Sequence, residues 1–367
     1  MTDPRITKLA DVLVNYSVKV QPGEWTHILA SVESLPLAKE IAAAVLAAGG
    51  HYTVDLDETV FNEILIKNGT DEQLMWGAPD IEYMIKNIDI LFYINAPENT
   101  RTLSGAAPAR MQLWKKSQKE WRETYMARTA SGDLRWVIAN FPCSSLAQDA
   151  DMSLADYEDF VYGATFVDTD DPVAAWQQVH DEQQRMVDWL AGKKHITIKG
   201  PNADISMSIE GRSFINSDGD QNMPSGEIFT SPVEDSVEGW VAFTYPAIYN
   251  STEVQGVRLE FEKGKVVKAT AEKNEEFLIK MLETDEGASY LGELGIGTNF
   301  GIQKFTKSIL YDEKIGGTFH LAVGNGFSRA GGKNKSIVHW DLICDAKQDT
   351  EMRVDGELFY KDGKFVV

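Results

Sequence analysis

The sequence predicts an α/β N-terminal domain with a parallel sheet, followed by a strand-rich α+β domain. Two observations predict this architecture. Before residue 193, short apolar runs alternate with helical segments. After it, apolar and polar residues alternate with a period of two between glycine-containing turns. A chain of 367 residues is long enough for two domains, and we place them at 1–192 and 193–367.

The first half begins with a strand–helix–strand unit. EWTHILA (24–30) and HYTVDLD (51–57) have the β-branched and aromatic content of strands, and the Ala-rich segment LPLAKEIAAAVLAAGG (35–50) between them is typical of a helix. Gly49 and Gly50 end this helix, because glycine readily adopts the left-handed conformation that closes helices. Two strands connected through a helix within about 35 residues form a βαβ unit, which builds a parallel sheet.

The alternation of helices and strands continues to residue 192. We predict helices at 78–88, 108–129 and 174–192, the last one ended by Gly192, and apolar strands at 89–97 and 134–142. In the second half, the segments KKHITIKG, ADISMSIEG and VRLEFEKGKVVKATAE predict antiparallel strands.

Charge and cysteine content exclude several classes of protein. Lys and Arg number 35 and Asp and Glu number 56, so the net charge is −21, which repels nucleic-acid phosphates and anionic lipids. No apolar run approaches the roughly 18 residues of a membrane helix or forms the core of a signal peptide. Two cysteines, Cys143 and Cys344, indicate a reducing compartment. We expect a cytoplasmic protein with no nucleic-acid or membrane partner.

Two histidines of the second half lie in strand-like motifs. His320 is part of GGTFHLAVGNGF, and His339 precedes Asp341 by two residues in NKSIVHWDLICD. Residues i and i+2 of a strand point to the same face, so His339 and Asp341 would project side by side. An imidazole beside a carboxylate on a strand makes half of a metal site. The alternative is a core histidine with a hydrogen-bonded aspartate.

Two glutamates lie in glycine-rich, otherwise apolar segments. Glu227 is part of NMPSGEIFTSP and Glu293 of YLGELGIGTN. A carboxylate in such a segment is costly to bury unless a positive charge compensates it. For each glutamate the alternative is a carboxylate on a surface loop or at a helix N-terminus.

These side chains together suggest a dinuclear metal site. Three carboxylates and two imidazoles can hold two divalent ions if one carboxylate bridges them, because a carboxylate has two equivalent oxygens. The mixture of oxygen and imidazole ligands suits Zn, Co or Mn. The candidate ligands are Glu227, Glu293, His320, His339 and Asp341.

The motifs around these residues resemble the thermophilic metallo-aminopeptidases of the aminopeptidase T group, peptidase family M29. The resemblance rests on N-x-P-S-G-E-I-F-T-S-P, LGELGIGTN, GGTFHLAVGN and S-x-x-H-W-D, in this order, and it covers roughly residues 195–367. It implies that residues 193–367 form a catalytic metal-binding domain. The first half agrees with the family in length and α/β pattern, without a specific motif.

The resemblance also implies an activity. It implies two divalent ions per chain, Zn or Co with Mn or Mg as further options, held by the five candidate ligands, with Glu293 as the bridge. It implies removal of N-terminal amino acids from small peptides with broad specificity, by a homodimer whose active site opens into an internal cavity. A water activated by the two metals would attack the carbonyl, and Glu227, which need not bridge, would accept its proton.

One position departs from the family pattern. The resemblance implies a catalytic tyrosine seven residues after the first histidine, where this chain has Phe327. Phenylalanine cannot donate a hydrogen bond to an oxyanion, and the loss of one such donor costs about 10²–10³ in rate. Either Ser328 or Arg329 replaces it, or the peptidase activity is weak or replaced, or the family varies here without consequence.

Two other functions fit parts of the same pattern. Two histidines and an aspartate are also the ligands of a non-haem Fe(II) ring-cleaving dioxygenase. The presence of Glu227 and Glu293 favours hydrolysis over this alternative. The chain could also be an inactive metal-binding homologue. Trp240, Trp340 and Tyr290, near the motifs, either line a pocket or belong to the core.

Overall fold

The computed structural model describes residues 3–250 and 252–367, and the chain divides into two compact units. Unit 1 comprises Met1–Ala174 with Gly219–Met223, and unit 2 comprises Ala175–Asp218 with Pro224–Val367. Our domain boundary between residues 192 and 193 stays a prediction. Most of the helix that precedes this boundary, from Ala175 onward, belongs to unit 2.

The helices of the described residues lie mainly in unit 1. In chain order they are α1 Pro4–Asp11, the π-helix Val12–Ser17, the 3-10 helix Val32–Ser34, α2 Leu35–Ala47, α3 Thr59–Asn68, α4 Asp71–Leu74, α5 Pro79–Asn87, α6 Pro108–Ser117, α7 Lys119–Ser131, α8 Ser144–Asp149, α9 Leu154–Ala164, α10 Pro172–Leu190, α11 Glu275–Leu282, α12 Ile309–Asp312 and the 3-10 helix Ser328–Ala330.

The strands lie mainly in unit 2. In chain order they are β1 Trp25–Ser31, β2 His51–Asp57, β3 Ile90–Asn95, β4 Arg135–Asn140, β5 His195–Gly200, β6 Ala203–Ser208, β7 Ile215–Ser217, β8 Asn222–Met223, β9 Glu227–Thr230, β10 Glu238–Ala242, β11 Ala247–Tyr249, β12 Thr252–Val254, β13 Arg258–Glu262, β14 Lys265–Thr270, β15 Leu291–Gly297, β16 Thr318–Gly324, β17 His339–Asp345, β18 Glu351–Val354, β19 Glu357–Lys361 and β20 Lys364–Phe365.

Unit 1 contains the predicted parallel sheet. Its strand order is β2-β1-β3-β4-β8, and all four pairings are parallel. The strands predicted at 24–30, 51–57, 89–97 and 134–142 are confirmed as β1 to β4. Strand β1 is buried or half-buried on both faces, whereas β3 buries Ile90, Phe92 and Ile94 on one face and leaves Tyr93 exposed on the other. Strand β2 at the edge is exposed along its whole length.

The predicted helices are confirmed, with one difference. Helix α2 ends before Gly49, which has φ +84, so the glycine stop is also confirmed. The helix predicted at 108–129 is two helices, α6 and α7, which are separated at Gln118. The Ser117 hydroxyl donates a hydrogen bond to the Trp114 carbonyl oxygen at 2.7 Å, and this side-chain bond competes with continuation of the helix.

Unit 2 contains the predicted antiparallel strands. An eight-stranded sheet has the order β14-β13-β10-β6-β5-β18-β19-β20, and a five-stranded sheet has the order β17-β16-β15-β9-β7. The α/β fold with a strand-rich second part is therefore confirmed. The five-stranded sheet, named the site sheet below, contributes Ile228, Leu294, Leu321 and Leu342 to a core shared with the larger sheet. Its opposite face carries the candidate ligands.

Within residues 3–250 and 252–367, every helix is too short or too polar to traverse a lipid bilayer.

Candidate metal centre

Four strands of the site sheet bring the five candidate ligands to one face. Antiparallel pairing aligns β9 with β15, β15 with β16, and β16 with β17. Residues that are directly opposite on paired strands project to the same face. The ligands lie at the following positions: Glu227 on β9, Glu293 on β15, His320 on β16, and His339 and Asp341 on β17.

Small residues opposite the ligands make room for them. A Cβ atom at Gly295 would lie 2.1 Å from the imidazole of His320, so only glycine fits under this ring. The glycine-rich motifs of the sequence therefore form the floor of the site. The cross-strand neighbours are Gly297 for Glu227, Gly295 for His320, Ala322 for Glu293 and Asp341, and Gly324 for His339.

A β-bulge turns Glu293 toward the site. Leu291 pairs with Val323 on the core face, but the next paired residue on β15 is Glu293, opposite Ala322. The extra residue is Gly292, where a Cβ would lie 2.4 Å from the carbonyl oxygen of Asn325. Bulges commonly redirect side chains beside functional sites. Here the bulge places a buried carboxylate between the two histidines.

Glu293 faces both imidazoles with different oxygens. Its Oε1 lies 3.5 Å from His320 Nε2, and its Oε2 lies 3.2 Å from His339 Nε2. Glu227 Oε2 lies 3.5 Å from His320 Nε2, and Asp341 Oδ1 lies 3.5 Å from His339 Nε2. Two groups of three possible ligands therefore meet at Glu293, with His320 in one group and His339 in the other.

Backbone carbonyl oxygens fix the orientation of both imidazoles. His320 Nδ1 lies 3.0 Å from the carbonyl oxygen of Glu313, and His339 Nδ1 lies 2.9 Å from that of Asn325. A carbonyl oxygen can only accept, so each Nδ1 carries the proton that it donates. Each Nε2 therefore points into the site, as in histidines that bind metals.

Unsatisfied polar atoms show that the residues fit divalent cations. Glu227 Oε2, His320 Nε2 and Asp341 Oδ1 are buried without a hydrogen-bond partner among the described residues. Such atoms are costly to bury unless an ion or another partner satisfies them. Carboxylate oxygens and imidazole nitrogens directed at common points are a ligand set for divalent metals.

The charges of the site reinforce each other. Burial by itself would lower the pKa of His320, but Glu293 and Glu227 outweigh burial and raise that pKa to about 10. In the same way burial opposes Asp341 and Glu293, which raise the pKa of His339 to about 12. Burial raises the pKa of Glu227, whereas the neighbouring histidines outweigh burial and lower the pKa of Glu293. The carboxylates therefore strongly favour a positive charge on both imidazoles.

The sequence analysis missed two residues of the site, Glu313 and Lys314. Lys314 is fully buried, its Nζ lies 3.6 Å from Glu227 Oε1, and it also contacts the Glu313 carboxylate. Glu313 lies within reach of His320 and Asp341 as a further possible ligand. Burial raises the pKa of Glu313 to about 8. The charged triplet DEK, separated from GGTFH by Ile315, was the available signal, but a charged triplet usually indicates a surface.

Phe327 packs against the site at the position of the expected tyrosine. Its ring meets the imidazole of His339 edge-on, with centroids 5.1 Å apart, and it also lies 5.0 Å from the ring of Phe229. Ser328 and Arg329 lie in the following 3-10 helix and are exposed. Phe327 therefore supplies an apolar wall, and replacement of the tyrosine by Ser328 or Arg329 stays a prediction.

The aromatic residues that could have lined a pocket lie elsewhere. Trp340 is buried in the core and stacks on Tyr249 with a centroid distance of 5.3 Å. Trp240 lies on β10 of the larger sheet under the guanidinium group of Arg258. Tyr290 is half-buried just before β15.

The fold and the ligand set are those of a metal-dependent hydrolase. A family model described as thermophilic metalloprotease (M29) matches residues 2–365, and thus includes the first half, where the sequence offered no motif. The chain belongs to this family. It is therefore a hydrolase of a family that depends on divalent metal.

Two similar proteins and one solved structure agree with this assignment. The chain is 27% identical to aminopeptidase 2 of Geobacillus stearothermophilus over 99% of this chain and 95% of that protein. It is 26% identical to aminopeptidase AmpS of Bacillus subtilis (strain 168), over 98% and 96% of the two chains. The solved structure of wild-type AmpT from Thermus thermophilus has the same fold, with a TM-score of 0.86 and 21% identity over 99% of both chains.

Replacing Lys314 by Met should destabilise the metal-free protein. Glu227 and Glu313 would lose their buried counter-charge, and breaking a buried ion pair on one side costs about 3–5 kcal/mol. Urea unfolding in the presence of a chelator measures this loss. Lys280→Met is the matched control, because Lys280 forms an exposed helical pair with Glu276 and should matter little. Equal stability losses for the two variants would contradict the role of Lys314.

Proposed function

We propose that the chain is an aminopeptidase that removes N-terminal residues from small peptides with two divalent ions. The position of Glu293 is the observation that carries this proposal. Each of its oxygens faces a different imidazole, and each imidazole has a further carboxylate beside it. This arrangement suits a carboxylate that bridges two ions. The names of the relatives support the same reaction.

The proposed ligands divide into two sets. Glu227, Glu293 and His320 would hold one ion, and Glu293, His339 and Asp341 would hold the other. Zinc or cobalt suits this mixture of ligands best, and manganese or magnesium is a further option. When bound, a pair of such ions polarises a carbonyl group and lowers the pKa of a water molecule.

The residues of the chain supply the remaining parts of the reaction. Glu227 accepts the proton of the attacking water and later returns it. A carboxylate whose pKa is raised by burial is suited to this role. Within residues 3–250 and 252–367, the carboxylates of Glu227, Glu293, Glu313 and Asp341 face one ammonium group, that of Lys314. Two divalent ions would offset the remaining negative charge, and a free N-terminal α-amine would bind one of the ions, which suits an exopeptidase. The side chain of Phe327 packs against His339 and has no group that donates a hydrogen bond.

The alternative of an iron-dependent ring-cleaving dioxygenase is not favoured. Such a centre uses two histidines and one carboxylate. In this chain Glu227 and Glu293 complete the site on the face that carries the histidines.

Glu293→Gln should separate this proposal from an inactive metal-binding protein. The substitution keeps the shape and removes the bridging charge. We expect bound zinc to fall from about two ions per chain and hydrolysis of leucine p-nitroanilide to fall by at least about 100-fold, because even outer partners of metal ligands contribute roughly 10–100-fold. Elemental mass spectrometry and the anilide assay measure both effects.

The control for this experiment is Glu283→Gln, which alters an exposed glutamate on the same unit. N-acetylated leucine p-nitroanilide should remain intact with the wild-type chain, since it lacks the free amine. Two ions and full activity in Glu293→Gln would show that this residue does not bridge. If the wild-type chain binds two ions but hydrolyses no aminoacyl anilide, the chain is an inactive metal-binding protein.

We further propose that the chain is a homodimer. Unit 1 exposes large apolar side chains on β2 and in the segment that follows it, among them Leu56 (45% exposed), Phe61 (67%) and Trp76 (68%). Exposed apolar side chains in such a group favour association. Light scattering should give the mass of two chains, and Phe61→Glu should shift the mass toward one chain. Val267→Glu, at an exposed position of unit 2, should leave this mass unchanged. A monomeric wild-type chain would refute the dimer.

A further inference from the structure

A cavity of about 130 Å³ adjoins the candidate metal centre. The residues that line the cavity and the candidate metal ligands all belong to unit 2. Apolar side chains form most of its wall: Pro246, Ile248, Phe305, Ile309 and Ile343.

The cavity and the metal centre share one residue, Asp341. This aspartate lines the cavity and also faces His339, at 3.5 Å between Oδ1 and Nε2. Ile343 follows on the same strand two residues later and therefore lies on the same face. A molecule that contacts the metal ligands can thus extend one group into the cavity without crossing the sheet.

We infer that this cavity binds the side chain of the N-terminal residue of the substrate and selects branched aliphatic side chains, such as those of leucine and isoleucine. The inference rests on the proposed aminopeptidase function and specifies its substrate class. An apolar cavity of about 150 Å³ holds one benzene molecule. A cavity of about 130 Å³ therefore accepts a four-carbon side chain, and an indole ring would extend beyond it.

The charged residues of the cavity favour a neutral side chain. Lys307 and Asp312 complete the lining. Asp312 Oδ1 already accepts hydrogen bonds from the backbone nitrogen and the hydroxyl group of Thr306, at 2.7 and 2.9 Å. An acidic side chain would meet the like charges of Asp312 and Asp341, and a basic one would meet Lys307 together with these carboxylates and would lose its hydration against an otherwise apolar wall. Desolvating either charge without a partner is costly.

A second apolar surface packs against His339 and competes for this role. It is formed by the rings of Phe229 and Phe327. Two rings form this surface, whereas eight residues from three separate segments of the chain line the cavity and limit the size of a bound group more. We therefore assign the selecting contact to the cavity. A test must distinguish the two surfaces.

The test is the ratio of kcat/KM for leucine and alanine p-nitroanilides. Pockets discriminate by about 10-fold or more per missing methylene, so the wild-type chain should prefer leucine by at least about 10-fold. Ile309 is 48% exposed at the cavity, so Ile309→Trp fills the cavity without removing core packing. This variant should lose most of the preference. Val267→Trp, on an exposed strand of the larger sheet, should keep it.

Two more measurements make the test decisive. Ile309→Ala enlarges the cavity and should raise kcat/KM for tryptophan p-nitroanilide relative to leucine. Free L-leucine should stabilise the zinc-loaded wild-type chain against heat more than L-alanine does, and Ile309→Trp should abolish this difference. The second readout requires no turnover, so it distinguishes altered binding from altered chemistry.

The outcomes separate the two proposals. A wild-type chain that cleaves no aminoacyl anilide contradicts the aminopeptidase function itself. An active chain whose leucine preference survives Ile309→Trp but changes in Phe327→Ala contradicts the cavity only and assigns selection to the aromatic surface. Preference for arginine p-nitroanilide over leucine also contradicts the inference, because it would require a cationic group beside Lys307.

Discussion

The burial of four carboxylates in one small volume is the constraint on which the site of unit 2 depends. Glu227, Glu293, Glu313 and Asp341 bring four carboxyl groups to it, and Lys314 supplies one positive charge. Buried charges of one sign are tolerated only with compensating cations. Protons on the two imidazoles or divalent ions can supply them. The small residues opposite the ligands follow from the same constraint, since they give the charged side chains and their cations space.

The sequence allowed the architecture and five site residues to be predicted, because local patterns encode them. Apolar runs between helices indicated the parallel sheet, and the spacing of His339 and Asp341 placed both on one face of a strand. Glu313 and Lys314 escaped prediction because their burial depends on packing between distant segments, whereas a charged triplet is usually exposed. The bulge at Gly292 was not predicted for a related reason, because the register of β15 depends on its partner strand β16.

The chemistry of the site is asymmetric, and this asymmetry suits an exopeptidase. Carboxylates and imidazoles dominate the floor, whereas apolar side chains line the cavity beside Asp341 and pack against His339. The one position with an unexpected residue, Phe327, extends the apolar side. In unit 1, the exposed apolar side chains of β2 are part of the basis for the proposed homodimer.

The most direct measurement is a calorimetric titration of the metal-free chain with Zn²⁺ at pH 7.5, in two buffers of different ionisation enthalpy. The pKa values of about 10 for His320 and about 12 for His339 mean that both imidazoles carry an extra proton at this pH. Metal must displace these protons from Nε2. We predict about two ions bound per chain, with release of protons that makes the heat depend on the buffer. Binding of one ion or none would contradict the dinuclear centre.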